Sequence, residues 1–138
     1  MDPITKTYIS FGLVVLAIFE FWAAMSVRGA AKPPKNARLL LRMHRIGGYV
    51  FLVYFVWISY VCLDLMNRLH NAGGYVLDSR AAIHATMALL IVALLLLKIS
   101  FVRPYQKYRA QAPNLGIAIT VGTLVLWFLA GYMFMWLM

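Results

Sequence analysis

The chain alternates four long apolar runs with three short polar links. The first run reaches from about Tyr8 to Val27 and is closed by GAAKPPKN, because Pro33 and Pro34 cannot continue a hydrogen-bonded helix. A second helix can begin near Asn36, a favourable N-cap; its span covers about residues 46–68, apolar from Ile46 to Met66. NRLHNAGGYVLD then reads as a link broken by Gly73 and Gly74, with Asp78 or Ser79 able to cap the next helix. The third run extends from about Arg80 to Val102 and stops before Pro104, and after RPYQKYRAQAPN the fourth covers about Leu115 to Leu137. Each run matches the roughly 20 residues a helix needs to cross hydrocarbon. The pattern predicts an all-α integral membrane four-helix bundle, one domain over 1–138.

Composition narrows the class. The 138 residues are 64% hydrophobic, far above what a soluble domain can cover with polar surface. Four spans and their links use the whole length, so no extramembrane catalytic domain is expected. The first apolar run exceeds the 7–15 residues usual for a signal peptide core and is followed by a dense basic link, which predicts a retained helix. Cys62 has no second cysteine to bridge and reads as a small core residue.

The formal net charge of +9 matters less than its distribution. Arg28, Lys32, Lys35, Arg38, Arg42 and Arg45 lie between the first two runs, and Arg103, Lys107 and Arg109 between the last two, with no acid in either link. Lys6, Arg68 and Arg80 at the opposite ends are balanced by Asp2, Asp64 and Asp78. Short links rich in Lys and Arg stay cytoplasmic, which places both termini on the outer, periplasmic side of a bacterial inner membrane. Anionic lipid headgroups are the expected partners of the basic links, not nucleic acid. Tyr8, Tyr49, Tyr105, Tyr132 and Trp136 fit interfacial belts, while Trp57 and Trp127 lie deeper, where core packing is expected. Gly116, Gly122 and Gly131, with Ala118 and Ala130, give the fourth helix small positions for close helix contact.

Three histidines can carry chemistry. At about 1.5 Å per residue, His44 at the inner end of the second helix and His84 near the outer end of the third are separated by about a hydrocarbon thickness, too far to share one haem. His70 and His84 share the outer side on consecutive antiparallel helices, as two axial imidazoles on facing helices require. Arg68 and Arg80 stand nearby for propionates, and Asp64 or Asp78 for orienting an imidazole. Should His70 fall in the link, Met133 or Met135 of the fourth helix would be the partner donor. The competing reading is that of interfacial histidines bonded to water or headgroups.

On the inner side, Glu20 and Lys98 lie within spans, where a charge costs about 2.5–3.5 kcal/mol on insertion scales and therefore pairs or faces the bundle interior. They can pair, or Lys98 can snorkel. With His44 they can also border a quinone pocket, because His and Glu exchange protons with ring oxygens. No CxxCH, phosphate-binding Gly-rich loop or cysteine cluster accompanies these residues, and Ser, His and Asp are not arranged as a triad.

LLRMHRIGGYVFLVYFVWISYVCL, DSRAAIHATMALLIVALLLLKISFVRPYQKY and PNLGIAITVGTLVLWFLAGYMF together resemble small bacterial four-helix membrane proteins of the cytochrome b561-like kind. The likeness covers helices two to four and rests on HRxxGY on one helix and RxxxH on the next, with His44 and His84 as the motif histidines. It implies non-covalent haem b and electron transfer between the quinone pool and a membrane or periplasmic redox partner, often within a larger complex. Members with two haems use four histidine ligands, and this chain has three. The expected function is that of a b-type cytochrome or haem-bearing electron-transfer subunit rather than a stand-alone enzyme. The rival is a cofactor-free membrane anchor or assembly subunit. A transporter is weaker, since four unbroken helices offer little for a midplane site.

Overall fold

The structure, a computed structural model, describes residues 3–29, 31–32, 34–73 and 79–137, with the backbone alone for Pro3, Arg80 and 132–137. The expected roles of Asp2, Asp78, the Arg80 side chain, Tyr132, Met133, Met135 and Trp136 therefore lie outside the description. Four α-helices follow in order: α1 (Pro3–Arg28), α2 (Ala37–Asn71), α3 (Ser79–Val102) and α4 (Ala112–Leu137). All four are long and apolar enough to cross a membrane, and no strand occurs among the described residues. The chain is a multi-pass, all-α membrane protein.

The helices outrun the apolar runs that mark them. Asn36 is the N-cap of α2 by position, although its side chain makes no capping bond. At the other end α2 continues through Asn67, Arg68 and His70, because polar residues leaving hydrocarbon can keep a helix. It closes where Ala72 and Gly73 donate back to the carbonyls of Arg68 and His70. Gly73 adopts φ 72°, which suits glycine. Between α3 and α4 the expected loop is instead a 3₁₀-helix, Gln106–Gln111. Pro104 interrupts the α-helix, the Tyr108 N–H bonds to the Tyr105 carbonyl, and the Phe101 and Tyr108 rings meet at 5.2 Å.

Adjacent helices pack in the cyclic order α1, α2, α3, α4, with α2 against α3 the loosest pairing. The core is a set of stripes: Leu13 and Ala17; Phe51, Phe55 and Ile58; Ile91 and Leu95; Ile119 and Leu126. Spacings of three, four and seven keep each stripe on one helix face, so four faces close on one another. Several hydroxyls donate within their own helices, while that of Tyr54 on α2 crosses to the Ile9 carbonyl of α1. Thr123, buried on the α4 stripe, donates to the Ile119 carbonyl, and Ser100 and Thr120 donate to those of Leu96 and Gly116. Gly122 lies close enough to Ile91 for a Cβ to be in ordinary contact, while a Cβ at Gly131 would meet nothing, so only part of the small-residue pattern on α4 serves packing against α3. Trp57, expected in the core, is 45% exposed and stacks on Tyr54, because one stripe per helix is all that a bundle of this size can cover.

Candidate functional site

The interior stripes carry polar residues near their ends. On α1, Lys6 and Glu20 are fourteen residues apart in phase with Leu13 and Ala17; on α3, His84 and Lys98 are fourteen apart in phase with Ile91 and Leu95. His44 and Cys62 flank Phe51 and Phe55 on α2. Fourteen residues of helix span about 21 Å, so these groups form two clusters at opposite ends of the bundle. Each cluster lines a cavity.

At the end where the basic links gather, the cavity has a volume of about 60 Å³ and brings Glu20, His44 and Lys98 to one wall system, with Arg28 at its rim. The Nδ1 of His44 stands 2.6 Å from Oε2 of Glu20. Neither carboxylate oxygen, nor Nδ1, has a directed hydrogen bond, so the contact is an ion-pair approach rather than an aligned N–H···O bond. Glu20 is 9% exposed. Its partner is thus His44, on the neighbouring helix, and not Lys98, which makes no ion pair with it. Two glycines make the space. A Cβ at Gly47 would come within 1.8 Å of Glu20 Oε1, and one at Gly116 within 3.3 Å of Lys98 Nζ.

At the opposite end a larger cavity, about 420 Å³, runs among all four helices and is lined chiefly by apolar side chains. Tyr60 and Leu89 line it and are themselves well exposed, so it reaches the bundle surface along the loose α2–α3 pairing. His84 faces it. The Nε2 of His84 lies 3.7 Å from Cys62 Sγ, and its Nδ1 has no hydrogen-bond partner. Trp127 contributes an indole N–H that is likewise unpartnered, and Lys6, 3% exposed, completes the polar lining with Ser10, Ser59 and Thr123.

The structure separates some residues that depth alone grouped. His70 is exposed on the last turn of α2 and lines neither cavity, so it does not meet His84 there. Arg68 pairs with Asp64 one turn earlier, at 2.8 Å on the exposed surface; Asp64 thereby serves the arginine and neither histidine. His44 and His84 lie at separate cavities. Cys62, expected as a small core residue, lies against the His84 imidazole. Its signal was its place fourteen residues after Gly48 and one turn before Met66 on the same face of α2.

A haem requires an apolar slot, one or two axial donors and polar groups for its carboxylates. The larger cavity offers His84 on one wall, the sulfurs of Cys62 and Met66 one turn apart on the facing α2, and Lys6 and Trp127 as donors to acids. These residues fit the group. Among the described residues no cluster of three or more His, Cys, Asp or Glu could chelate a bare ion, but haem iron, already held by four pyrrole nitrogens, needs only axial ligands. Comparison with protein-family models, with curated proteins and with solved structures finds no match to this chain.

Proposed function

We propose that the protein is a haem-bearing electron-transfer subunit of a bacterial inner membrane, linking the quinone pool to a membrane or periplasmic redox partner. The carrying observation is His84, whose imidazole, with an unpartnered ring nitrogen, faces an apolar cavity of about 420 Å³. Its Nε2 meets only the weakly polar Cys62 Sγ, at 3.7 Å, so a metal presented from the cavity would satisfy that nitrogen better. In this reading His84 and Met66 of α2 would hold the haem iron, without His70, and Lys6 and Trp127 rather than Arg68 would meet its carboxylates. When bound, the haem supplies one-electron chemistry; the chain supplies ligation, burial and orientation. The second cavity, with His44, Glu20 and Lys98, is the place for a quinone head group.

The sidedness follows from the charges. Nine cations and no acids occupy the two links at one end of the bundle, which assigns that end to the cytoplasm and both termini to the outside, with anionic headgroups around the basic rim. Single cysteines introduced as Lys35→Cys and Lys107→Cys, in a chain carrying Cys62→Ser, should resist a membrane-impermeant thiol reagent in intact cells and react after lysis. Labelling of either in intact cells would invert the topology.

The function is tested on purified protein by absorption spectroscopy before and after dithionite. A reduced b-type band, also produced on adding a quinol, supports the reading. A colourless preparation from haem-replete cells favours the cofactor-free anchor.

A further inference from the structure

We infer that the groove between α2 and α3 holds one anionic glycerophospholipid, with its phosphate at Arg45 and Arg103 and an acyl chain along apolar walls. The inference is independent of haem. It rests on the reading that anionic headgroups surround the basic rim, and it deepens that reading from a diffuse collar to a single site. α2 and α3 form the loosest pairing of adjacent helices in the bundle. Arg45, Tyr49, Val56 and Tyr60 follow one another on α2 at intervals of four, seven and four residues, which keeps them on one helix face. Leu89, Leu96 and Arg103 do the same on α3 at intervals of seven, and the Arg103 N–H still bonds to the Ile99 carbonyl as in a helix. Two observations put both faces on one groove. The Arg103 guanidinium lies over the Tyr49 ring, 5.8 Å from its centroid. Further along, Val56, Tyr60 and Leu89 together line the side of the larger cavity that reaches the surface.

The groove is charged at one end only. Arg45 stands one turn before Tyr49, so two exposed guanidinium groups share the neighbourhood of that ring. Neither is in an ion pair; the described pairs are Glu20 with His44 and Arg68 with Asp64. Two like charges without an acid call for an anion, and arginine forks match the oxygens of a phosphate. Beyond Tyr49 the walls turn apolar and stay open, for Val56, Tyr60, Leu89 and Leu96 are all exposed. From Arg103 to Leu89 the wall runs about 21 Å, which covers one leaflet of a hydrocarbon core about 30 Å thick. Cations at headgroup depth above apolar walls one leaflet deep complement a phospholipid in both charge and length. A second copy of the chain does not complement this face, because two-fold pairing through it would set identical arginines against each other.

The test is native mass spectrometry of the whole protein in detergent, titrated with palmitoyl-oleoyl phosphatidylglycerol and separately with the phosphatidylcholine of the same chains. The wild type should saturate with one tightly held phosphatidylglycerol and bind phosphatidylcholine at least about fivefold more weakly. At about fivefold per arginine, Arg45→Gln with Arg103→Gln should weaken phosphatidylglycerol binding about 25-fold. Lys32→Gln with Lys35→Gln, in the link before α2, should change it less than about twofold, because screening shortens the reach of a surface charge. Glycerol 3-phosphate, which has the phosphate without the chains, should not displace the lipid. Equal losses in the two double variants, or no saturation at one lipid, overturn the inference and leave the diffuse collar standing. Displacement by glycerol 3-phosphate overturns it too, by reducing the site to a phosphate contact, and a dimer that excludes lipid would give the groove to a second copy. Equal binding of the two lipids removes both the site and the collar. The wild-type titrations need no variant to fold.

Discussion

Glu20→Leu alone is expected to destabilise the bundle by about 1–3 kcal/mol, the usual cost of leaving a buried polar partner unsatisfied. The leucine fits the apolar surroundings of α1, but the loss leaves His44, within the packed end of α2, without its carboxylate at 2.6 Å. His44→Leu in the same chain should recover much of that loss, because a pair replaced on both sides by apolar groups strands no polar atom. The double-mutant cycle should therefore give a coupling of about 1–3 kcal/mol for Glu20 with His44. The corresponding cycle for Glu20 with Lys98 should give a smaller coupling, since the two share a cavity but no ion pair joins them. Reversible unfolding in mixed micelles measures both cycles. Coupling concentrated on Lys98 instead would show that Glu20 is paired across the bundle rather than to α2.

Gly47→Ala is the second large effect, and it enters through space rather than charge. The added Cβ would lie 1.8 Å from Oε1 of Glu20, so the carboxylate has to move. A glutamate is flexible at its far end, and an exposed one would swing away at little cost. Here the movement abandons His44, and the expected loss is about 1–3 kcal/mol of stability, the range typical of overpacking. Gly48→Ala, one residue on, is the control: a Cβ there meets nothing within 4 Å and should change stability little. Equal losses at the two positions would point to helix flexibility rather than to the Glu20 contact.

What the sequence could and could not reveal follows from what each signal measures. Apolar run length reports hydrocarbon thickness, so the four spans were legible, yet α1 begins at Pro3 and α2 continues to Asn71 beyond their runs. The 3₁₀-helix at Gln106–Gln111 carries no pattern that distinguishes it from a loop. Depth was legible for Glu20, His44 and Lys98, because each lies a known number of residues from a span end. Helix rotation was not, because in nearly uniform apolar spans no polar face marks the outside. The polar residues themselves held that information. Lys6 with Glu20, and His84 with Lys98, repeat at fourteen residues, which returns a helix to nearly the same face after four turns. The same reasoning explains His70. It shares a depth with His84, but it falls off the interior stripe and is exposed. Cys62 gives no sign of a polar contact in the sequence, because a lone cysteine in an apolar run is ordinarily a small core residue, whereas here its contact with His84 comes from the loosest helix pairing.

The proposed ligation of haem by His84 is tested most directly by the haem content of three purified proteins side by side: wild type, His84→Ala and His70→Ala. The account predicts bound haem in the wild type, near-complete loss in His84→Ala at unchanged yield of folded protein, and retention in His70→Ala, whose side chain lies outside the cavity. Haem retained in His84→Ala, or lost in His70→Ala alone, would contradict it.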